Sequence, residues 1–410
     1  MPPTAQASPL PDITAELAKG PSTSVIKIVE CMVSSAYRTR ASDIHLDPES
    51  GTLKVRFRID GALRDIETIP VHLRDEVISR LKILSGLRTD EHQAAQDGRF
   101  RIDADGTHID VRVSIVPTYY GENAVMRLLA EQADDYSLEV LGFTPWNQEK
   151  LTRAIQKTHG MILLTGPTGS GKTTTLYTLI KMLNTKERSI ITIEDPVEYS
   201  INGINQIQVN SRTGLTFAQG LRSILRQDPN IIMVGEVRDS ETAGLAVNAA
   251  LTGHLVLSTL HTNDAPTALP RLLDMKVEPF LISSTVNLVV SQRLVRRICS
   301  HCKEVREISQ DALRSLSEVV SASVLAVRPT FYAGYGCEQC GGTGYRGRVG
   351  IHEVIELDQP IRESILRKAS SNELRAIAVE RGMTPMLIDG FEKAKMGLTT
   401  IEEVLRTAHE

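Results

Sequence analysis

The stretch GPTGSGKT, from Gly166 to Thr173, has the residue types and spacing of a phosphate-binding loop. Glycines let backbone N–H groups close around phosphate oxygens, and the N-terminus of a following helix favours an anion. Lys172 can reach the β- and γ-phosphates of a nucleotide, and the Thr173 hydroxyl can bind the magnesium ion. The predicted nucleotide-binding loop comprises Gly166, Pro167, Thr168, Gly169, Ser170, Gly171, Lys172, Thr173 and Thr174.

A second candidate is the stretch IIMVGEVRD, in which the apolar residues 231–234 predict a buried strand. In phosphate-binding-loop enzymes the strand beside the nucleotide normally ends in an aspartate that anchors the magnesium shell. Here Gly235 holds that place, and the first acid is Glu236, one residue later. A carboxylate there can orient the water that attacks the γ-phosphate, or accept its proton. We therefore expect a working site that divides the acidic roles differently, with Glu236 as catalytic carboxylate.

Polar side chains also follow two other apolar runs. Glu194 ends the run SIITIE, and His261 follows LVLSTL. The carboxyl ends of parallel strands meet at one edge of a sheet, where such folds bind ligands, so Glu194 can hold the water shell of magnesium. Taken alone, each acid could equally be a helix N-terminal charge or a solvated loop residue. Their expected position at one edge favours an active site.

Four of the five cysteines form two C-x-x-C pairs, Cys299 with Cys302 and Cys337 with Cys340. Two such pairs can supply four thiolates to a tetrahedral zinc ion, which is then structural because no position is left for water. Their separation predicts an insertion between the pairs. The alternatives are unligated buried thiols or a redox centre, which needs only one pair.

The elements that must position these residues follow from hydrophobic periodicity. Short apolar strands alternate with helical segments from residue 146 onward, which predicts a largely parallel sheet wrapped by helices. Before it, a helix capped by Ser22 or Thr23 and two hairpins of alternating polarity predict a small α+β domain. The first hairpin turns at Asp60-Gly61.

Composition narrows the class of protein. The 410 residues are 41% hydrophobic and 23% charged, as in ordinary globular proteins of two or three domains. A net charge of −4 weighs against a protein that mainly coats nucleic acid. The sequence has no signal peptide and no apolar run that could span a bilayer, so we expect a cytoplasmic protein.

Six ordered motifs carry a resemblance to a known family. They are ASDIHLDP (41–48), VRFRIDG (55–61), GPTGSGKT (166–173), TIEDPVE (192–198), LRSILRQDPNIIMVGEVRD (221–239) and TGHLVLSTLHTNDA (252–265). Together they resemble the secretion ATPase superfamily, in particular the motors of type II secretion and type IV pilus assembly.

The resemblance implies roles for residues of the second half of the chain. Glu236 matches the essential glutamate of an atypical Walker B motif, and His254 and His261 match histidines near the γ-phosphate. Arg222 and Arg226, four apart on a predicted helix, form a second pair of candidates. Without the resemblance, structural histidines would be the simpler interpretation.

Two arginines of the first domain are implicated in the same way. Arg112 and Arg127 match arginines that, in the resembled family, reach the nucleotide bound by the adjoining ATPase domain. Judged by pattern alone, they could equally lie on a solvated face of the sheet. The tetracysteine element also fits the family, whose assembly and secretion members carry one.

We accordingly predict an α/β protein of defined organisation. It comprises a disordered leader (1–21), a PAS-like α+β domain (22–130), a linker or hinge (131–145), a RecA-like ATPase core (146–298), a zinc-binding element (299–350) and a helical C-terminal region (351–410).

The resemblance also implies the setting in which the protein works. It implies ATP, Mg²⁺ and Zn²⁺ as ligands, and a homohexamer that acts on an inner-membrane platform protein to drive pilin subunits into a filament. The hexamer would be cytoplasmic, held at the inner face of the membrane through partners, and would bind no nucleic acid. Because only about 20 residues precede the resembling region, we expect recruitment without the further N-terminal domain of typical assembly members.

Two rival classes stay open at this point. One is a nucleic-acid-translocating ATPase of the conjugation type, which the lack of a clear basic and aromatic groove and the four cysteines disfavour. The other is a nucleotide-sensing module without catalysis, which the intact Lys172, Thr173 and Glu236 disfavour.

Overall fold

The computed structural model describes residues 13–104, 107–130, 136–307 and 330–409. The chain divides into two units, Met1–Asp134 and Asp135–Glu410. Within the described residues, each unit has a hydrophobic core of its own. None of the described helices is long and apolar enough to cross a membrane.

The first unit is an antiparallel sheet covered by helices. Its strands are β1 (Ala41–Pro48), β2 (Thr52–Ile59), β3 (Ala62–Pro70), β4 (Gln96–Ala104), β5 (Thr107–Thr118) and β6 (Gly121–Ala130), and its α-helices are α1 (Ile13–Leu17), α2 (Val25–Arg38) and α3 (Val71–Leu84). The strand order is β3-β2-β1-β6-β5-β4. The predicted helix and both predicted hairpins are therefore present.

Alternating polarity sets the two faces of this sheet. Leu53, Val55 and Phe57 of β2 are buried in the core, whereas the charged residues between them lie on the other face. At the hairpin turn, Asp60 has φ 50° and Gly61 has φ 87°. Both angles are left-handed, as the two-residue turn that matches strand twist requires.

The predicted leader is partly ordered. Residues 1–12 lie outside the described part of the chain, but helix α1 occupies Ile13–Leu17. Ile13 is buried in the core of the first unit, so the prediction of disorder is wrong for this segment. The cap of α2 also differs from the prediction: the Ser24 hydroxyl, rather than Ser22 or Thr23, accepts a hydrogen bond from the Lys27 N–H at 3.4 Å.

The second unit contains a seven-stranded main sheet, a separate two-stranded sheet and, among the described residues, most of the helices. The strands of the two sheets together are β7 (Gly160–Thr165), β8 (Ile190–Glu194), β9 (Asn205–Gln208), β10 (Ile231–Val234), β11 (Leu255–Leu260), β12 (Val286–Ile298), β13 (Lys303–Arg306), β14 (Phe331–Gly334) and β15 (Tyr345–Glu356). Its described α-helices are α4 (Pro145–Ile155), α5 (Lys172–Leu183), α6 (Phe217–Ile224), α7 (Ser240–Leu251), α8 (Ala265–Asp274), α9 (Pro279–Thr285), α10 (Gln359–Leu366), α11 (Ser371–Glu380), α12 (Met386–Lys395) and α13 (Ile401–His409).

The strand order of the main sheet is β15-β12-β7-β11-β10-β8-β9. All neighbours in it are parallel except β15, which runs antiparallel to β12. Strands β13 and β14 form a separate antiparallel pair. The largely parallel sheet predicted from the apolar runs is therefore present, with fully buried strands as expected when helices cover both faces.

Strand β15 changes the predicted boundary between the zinc element and the C-terminal region. It pairs with β12 from Leu288 opposite Glu356 to Ile298 opposite Tyr345, so it belongs to the main sheet on both sides of residue 350. Helices begin only at residue 359. The expected insertion between the two cysteine pairs falls largely on residues 308–329, outside the described part of the chain.

The predicted linker is only partly described. Residues 131–135 lie outside the described ranges, whereas Leu138 and Phe143 are buried in a core cluster of the second unit. The part of this segment that can be seen thus packs as a piece of the second unit.

Candidate active site

The phosphate-binding loop connects β7 to α5, the context that its motif requires. Lys172 is the first residue of α5, and its ammonium donates hydrogen bonds to the carbonyls of Gly166 at 2.8 Å and Pro167 at 2.9 Å. Burial lowers the pKa of Lys172, and the negative charge of Glu236 acts in the opposite direction. The amine is therefore already held at the loop.

Two glycines of the loop are required by its conformation. Gly166 has φ 134° and Gly171 has φ 87°, both in the region that favours glycine. A Cβ at Gly166 would collide with the backbone oxygen of Gln292 on β12. The loop can therefore pack against β12 only with glycine at this position.

Gln292 also braces the loop through its side chain. The buried amide donates to the Ser170 carbonyl at 2.7 Å and accepts from the Thr175 hydroxyl at 2.8 Å. It thus ties the loop and the first turn of α5 to the central sheet. The sequence does not predict that Gln292 holds the loop, because a single glutamine within a strand forms no recognisable motif.

Glu236 follows β10 by two residues and is largely buried, with 12% of its side chain exposed. One carboxylate oxygen lies 2.9 Å from Nε2 of His261, and the other lies 2.6 Å from Nη2 of Arg238. The two partners orient the carboxylate from opposite oxygens. His261 was a predicted site residue, whereas Arg238, two positions after Glu236, was missed.

The packing around Gly235 disfavours a side chain at the end of this strand. A Cβ at Gly235 would lie 3.3 Å from the carbonyl oxygen of Ile193 and 3.4 Å from Cα of Glu194, on neighbouring β8. The Gly235 N–H donates to that Ile193 oxygen at 2.8 Å, so the two strands stay close beyond the end of β10. A side chain at position 235 would therefore be crowded against β8.

The strand order brings these groups to one edge. β11 separates β7 from β10, and the loop, Glu236 and His261 all follow the carboxyl ends of these three parallel strands. The predicted convergence of the loop, Glu236 and His261 is therefore present in the geometry.

Glu194 has a different environment from the one expected for a magnesium-shell ligand. It is buried at the end of β8, where its carboxylate accepts hydrogen bonds from Tyr177 on α5, from Thr192 at 2.5 Å and from Gln206 at 3.3 Å. Burial raises its pKa, which the hydrogen bonds oppose. Its visible role is to tie β8 to α5 through Tyr177, and its role toward magnesium stays a prediction.

His254 lies away from the other site residues. It precedes β11, whereas His261 follows it, so the two histidines lie at opposite edges of the sheet, ~20 Å apart at the usual strand rise. Nδ1 of His254 lies 3.0 Å from the Ala249 carbonyl. Within this chain, the structure does not bring His254 together with Glu236 and the loop.

The two arginines of the predicted helical pair lie on different segments. Arg222 is on α6 and pairs with Glu241, whereas Arg226 lies beyond the end of that helix. The Arg226 guanidinium donates to the Arg222 carbonyl at 2.8 Å. Arg226 thus caps the helix C-terminus, and the expectation of two arginines on one helix is wrong because α6 ends at Ile224.

Arg112 and Arg127 of the first unit are directly opposite each other on β5 and β6. Arg127 donates to a carboxylate oxygen of Asp43 at 2.9 Å, and Arg58 lies 3.6 Å from the other oxygen. The carboxylate of Asp43 on β1 thus lies between arginines of β2 and β6.

The four cysteines form a cluster with the dimensions of a zinc site. Their sulfur atoms all lie within 4.8 Å of one another. The Cys299–Cys337, Cys302–Cys340 and Cys337–Cys340 sulfur pairs are 3.8, 3.9 and 3.8 Å apart. A tetrahedron with zinc–sulfur bonds of 2.3 Å has edges of about 3.8 Å, so the donor set fits zinc.

Backbone donors also favour a thiolate in this cluster. Burial alone would raise the pKa of Cys340, but the N–H groups of Cys337 and Gly344, each 3.2 Å from its sulfur, help to hold that pKa at about 6. Zinc is bound by thiolates, so N–H groups that donate to this sulfur fit a metal site.

The fold and the site together define a P-loop nucleotide-binding protein of the α/β class. The model of the "Type II/IV secretion system protein" family matches residues 19–406, and the chain belongs to that family. The predicted family and the predicted class of enzyme, a P-loop ATPase, are thereby confirmed.

Two relatives and one solved structure illustrate the similarity. The "Type IV pilus assembly ATPase PilB" of Thermus thermophilus is 50% identical over 92% of this chain, which covers 42% of that protein. The "Type II secretion system ATPase E" of Vibrio cholerae is 45% identical over 94% of this chain and 76% of that protein. The ADP-bound "Pilus Retraction Motor PilT" is 26% identical, with a TM-score of 0.63 over 93% of this chain and 97% of that one. The chain thus spans less than half of the Thermus relative.

Proposed function

We propose that this chain hydrolyses ATP through Glu236 and, as a homohexamer, powers the assembly of a type IV pilus or a type II secretion pseudopilus. The contact between Glu236 and His261, at the sheet edge where the phosphate-binding loop also lies, carries the proposal. The names of the pilus-assembly and secretion relatives support the mechanical role.

The residues of the chain divide the work as follows. Backbone N–H groups of the loop and the Lys172 ammonium bind the phosphates, with Lys172 exchanging its carbonyl partners for anionic oxygens. Thr173 is the proposed magnesium ligand, and the ion supplies charge neutralisation at the phosphates when bound. Glu236, held by His261 and Arg238, orients the attacking water and accepts its proton.

Further residues are assigned by the same proposal. Arg112 and Arg127 supply positive charge that stabilises the transferring phosphoryl group, as cationic side chains do in other phosphoryl transferases. Arg222, Arg226, His254 and Glu194 are proposed as supporting residues of the site in the assembled hexamer. The four cysteines hold a structural zinc ion.

The proposed partner is an inner-membrane platform protein, with the hexamer working from the cytoplasmic side as a peripheral protein. The rival class, a nucleic-acid translocase, predicts a different response to DNA. Purified chain supplied with Mg²⁺ and ATP should form hexamers and release phosphate at a rate that single- or double-stranded DNA leaves unchanged. Hydrolysis that requires DNA, or no hydrolysis by a hexameric sample, would contradict the proposal. Mass photometry and phosphate-release assays measure both quantities.

A further inference from the structure

The segment that carries His261 is anchored three residues further on, at Asp264. Asp264 caps helix α8, since its carboxylate accepts a hydrogen bond from the Thr267 N–H at 2.8 Å. Its backbone carbonyl accepts from the Thr262 hydroxyl at 3.0 Å. The stretch from His261 to Asp264 is therefore a short connection between β11 and a capped helix, and moving Asp264 moves the histidine that holds Glu236.

An arginine from the C-terminal helices holds this anchor. Arg375 on α11 lies with Nη2 2.7 Å from the second carboxylate oxygen of Asp264. Its Nη1 lies 3.6 Å from a carboxylate oxygen of Glu353 on β15. The other oxygen of Glu353 accepts a hydrogen bond from the N–H of Ala265 at 2.6 Å. Arg375 on α11 and Glu353 on β15 thus bind Asp264 and Ala265 at the start of α8.

The electrostatics of this group require a cation. Glu353 is buried, and burial raises its pKa; the positive charge of Arg375 lowers it and the negative charge of Asp264 raises it again. Two carboxylates that share a site repel each other unless a cation lies between them. Arg375 is in that position, so its removal leaves Asp264 and Glu353 in mutual repulsion.

We infer that Arg375 is a positioning residue for hydrolysis: by bridging Asp264 and Glu353 it fixes the segment His261–Asp264, and with it the contact between His261 and Glu236. This inference depends on the proposed role of Glu236. Through Arg375, the position of the C-terminal helices would affect the orientation of the Glu236 carboxylate.

The chain provides a matched control. Arg381 directly follows α11 and pairs through Nε with Asp358 at 2.6 Å. Asp358 caps helix α10, as Asp264 caps α8. Arg381 therefore makes the same kind of contact, an arginine on a helix-capping aspartate, but not on the segment that carries His261.

The first test compares Arg375→Gln with Arg381→Gln in the full-length chain by hydrogen exchange and steady-state ATP hydrolysis. We expect Arg375→Gln to raise exchange in residues 260–268 and to lower kcat about tenfold or more with little change in KM, since small misplacement of a catalytic group costs this much. Arg381→Gln should leave both quantities within about twofold of the wild type, and Arg375→Lys should recover part of the loss.

A second test uses a double-mutant cycle, which separates positioning from general destabilisation. In a His261→Gln background, Arg375→Gln should cause little further loss of kcat, because the contact that it positions is already gone. Additive losses, or unchanged exchange in residues 260–268, would overturn the inference. A failure of the proposed function would be recognised separately: Glu236→Gln would then retain turnover, whatever the effect of Arg375→Gln.

Discussion

At the scale of single residues, the absence of an acid at position 235 is consistent with the close approach of two strands, and the proposed catalytic acid is Glu236. A carboxylate directly after β10 would need a Cβ 3.3 Å from the Ile193 carbonyl oxygen, closer than side chains ordinarily approach. One residue later, Glu236 contacts both His261 and Arg238. The glycine is thus part of the design of the site and not a sign of lost function.

This packing predicts the result of restoring a more usual strand end. Gly235→Asp should lower the free energy of unfolding by about 1–3 kcal/mol, the usual cost of overpacking, and should not raise turnover. Urea denaturation measures the effect. Gly244→Ala is the control, since nothing lies within 4 Å of its added Cβ in the middle of α7, and it should stabilise by about 0.5–1 kcal/mol. A stable and faster Gly235→Asp variant would refute the packing explanation.

The sequence predicts the loop and Glu236 because their chemistry depends on residue types at fixed local spacing. It could not show that Gln292, which lies 122 residues along the chain from Ser170, holds the loop in place, because that contact depends on strand order. His254 shows the opposite case. The six-residue strand between the two histidines places them at opposite edges of the sheet, whereas the family motif implies that both lie near the γ-phosphate.

At the scale of elements, the cysteine cluster joins segments that are far apart in sequence. Cys299 directly follows β12, and Cys340 lies shortly before β15. The cluster therefore links the two longest strands of the main sheet at one end. Periodicity predicts β7, β8, β10 and β11, but not β9, β12 or β15. The first half of β15, the stretch YRGRVG, contains two glycines and two arginines, and its pairing with β12 is set by contacts distant in sequence.

This arrangement predicts a measurable metal content. Purified chain should carry one zinc ion per subunit by elemental analysis, and Cys337→Ser should lose it and unfold at a lower temperature. Structural zinc contributes on the order of 10 kcal/mol to local folding, so the loss should affect stability and assembly more than nucleotide binding. Cys31→Ser, in the first unit, should retain the zinc. A folded, active wild-type sample without metal would rule out the assignment.

At the scale of the whole molecule, the residues proposed for catalysis come from both units of the chain. The nucleotide-binding loop, Glu236 and His261 belong to the second unit, and Arg112 and Arg127 belong to the first. Sequence patterns predicted that both units exist, because each has its own hydrophobic periodicity. Contacts between residues distant in sequence could not be predicted, because they depend on the strand register. The pairing of Asp43 on β1 with Arg127 on β6 is an example.

We expect the first unit to take part in hydrolysis. Arg112→Ala and Arg127→Ala should each lower turnover by about 10³-fold or more, as loss of a cationic group at a transferring phosphoryl group does. Arg101→Ala is a matched control, because Arg101 lies on the same sheet and pairs with Asp110 at 2.8 Å. Unchanged turnover and unchanged hexamer formation in both test variants would show that the first unit is only a spacer.

The most direct test of the account is the separation of ATP binding from hydrolysis in Glu236→Gln. The variant retains the phosphate-binding loop and Lys172, so ATP affinity measured by fluorescent-nucleotide titration should stay close to that of the wild type. Hydrolysis should fall by ~100-fold or more, the usual cost of losing a general base. Glu392→Gln, which alters an exposed ion pair with Lys395, should hydrolyse normally. Near-normal turnover by Glu236→Gln would contradict the assignment of this carboxylate as the catalytic group.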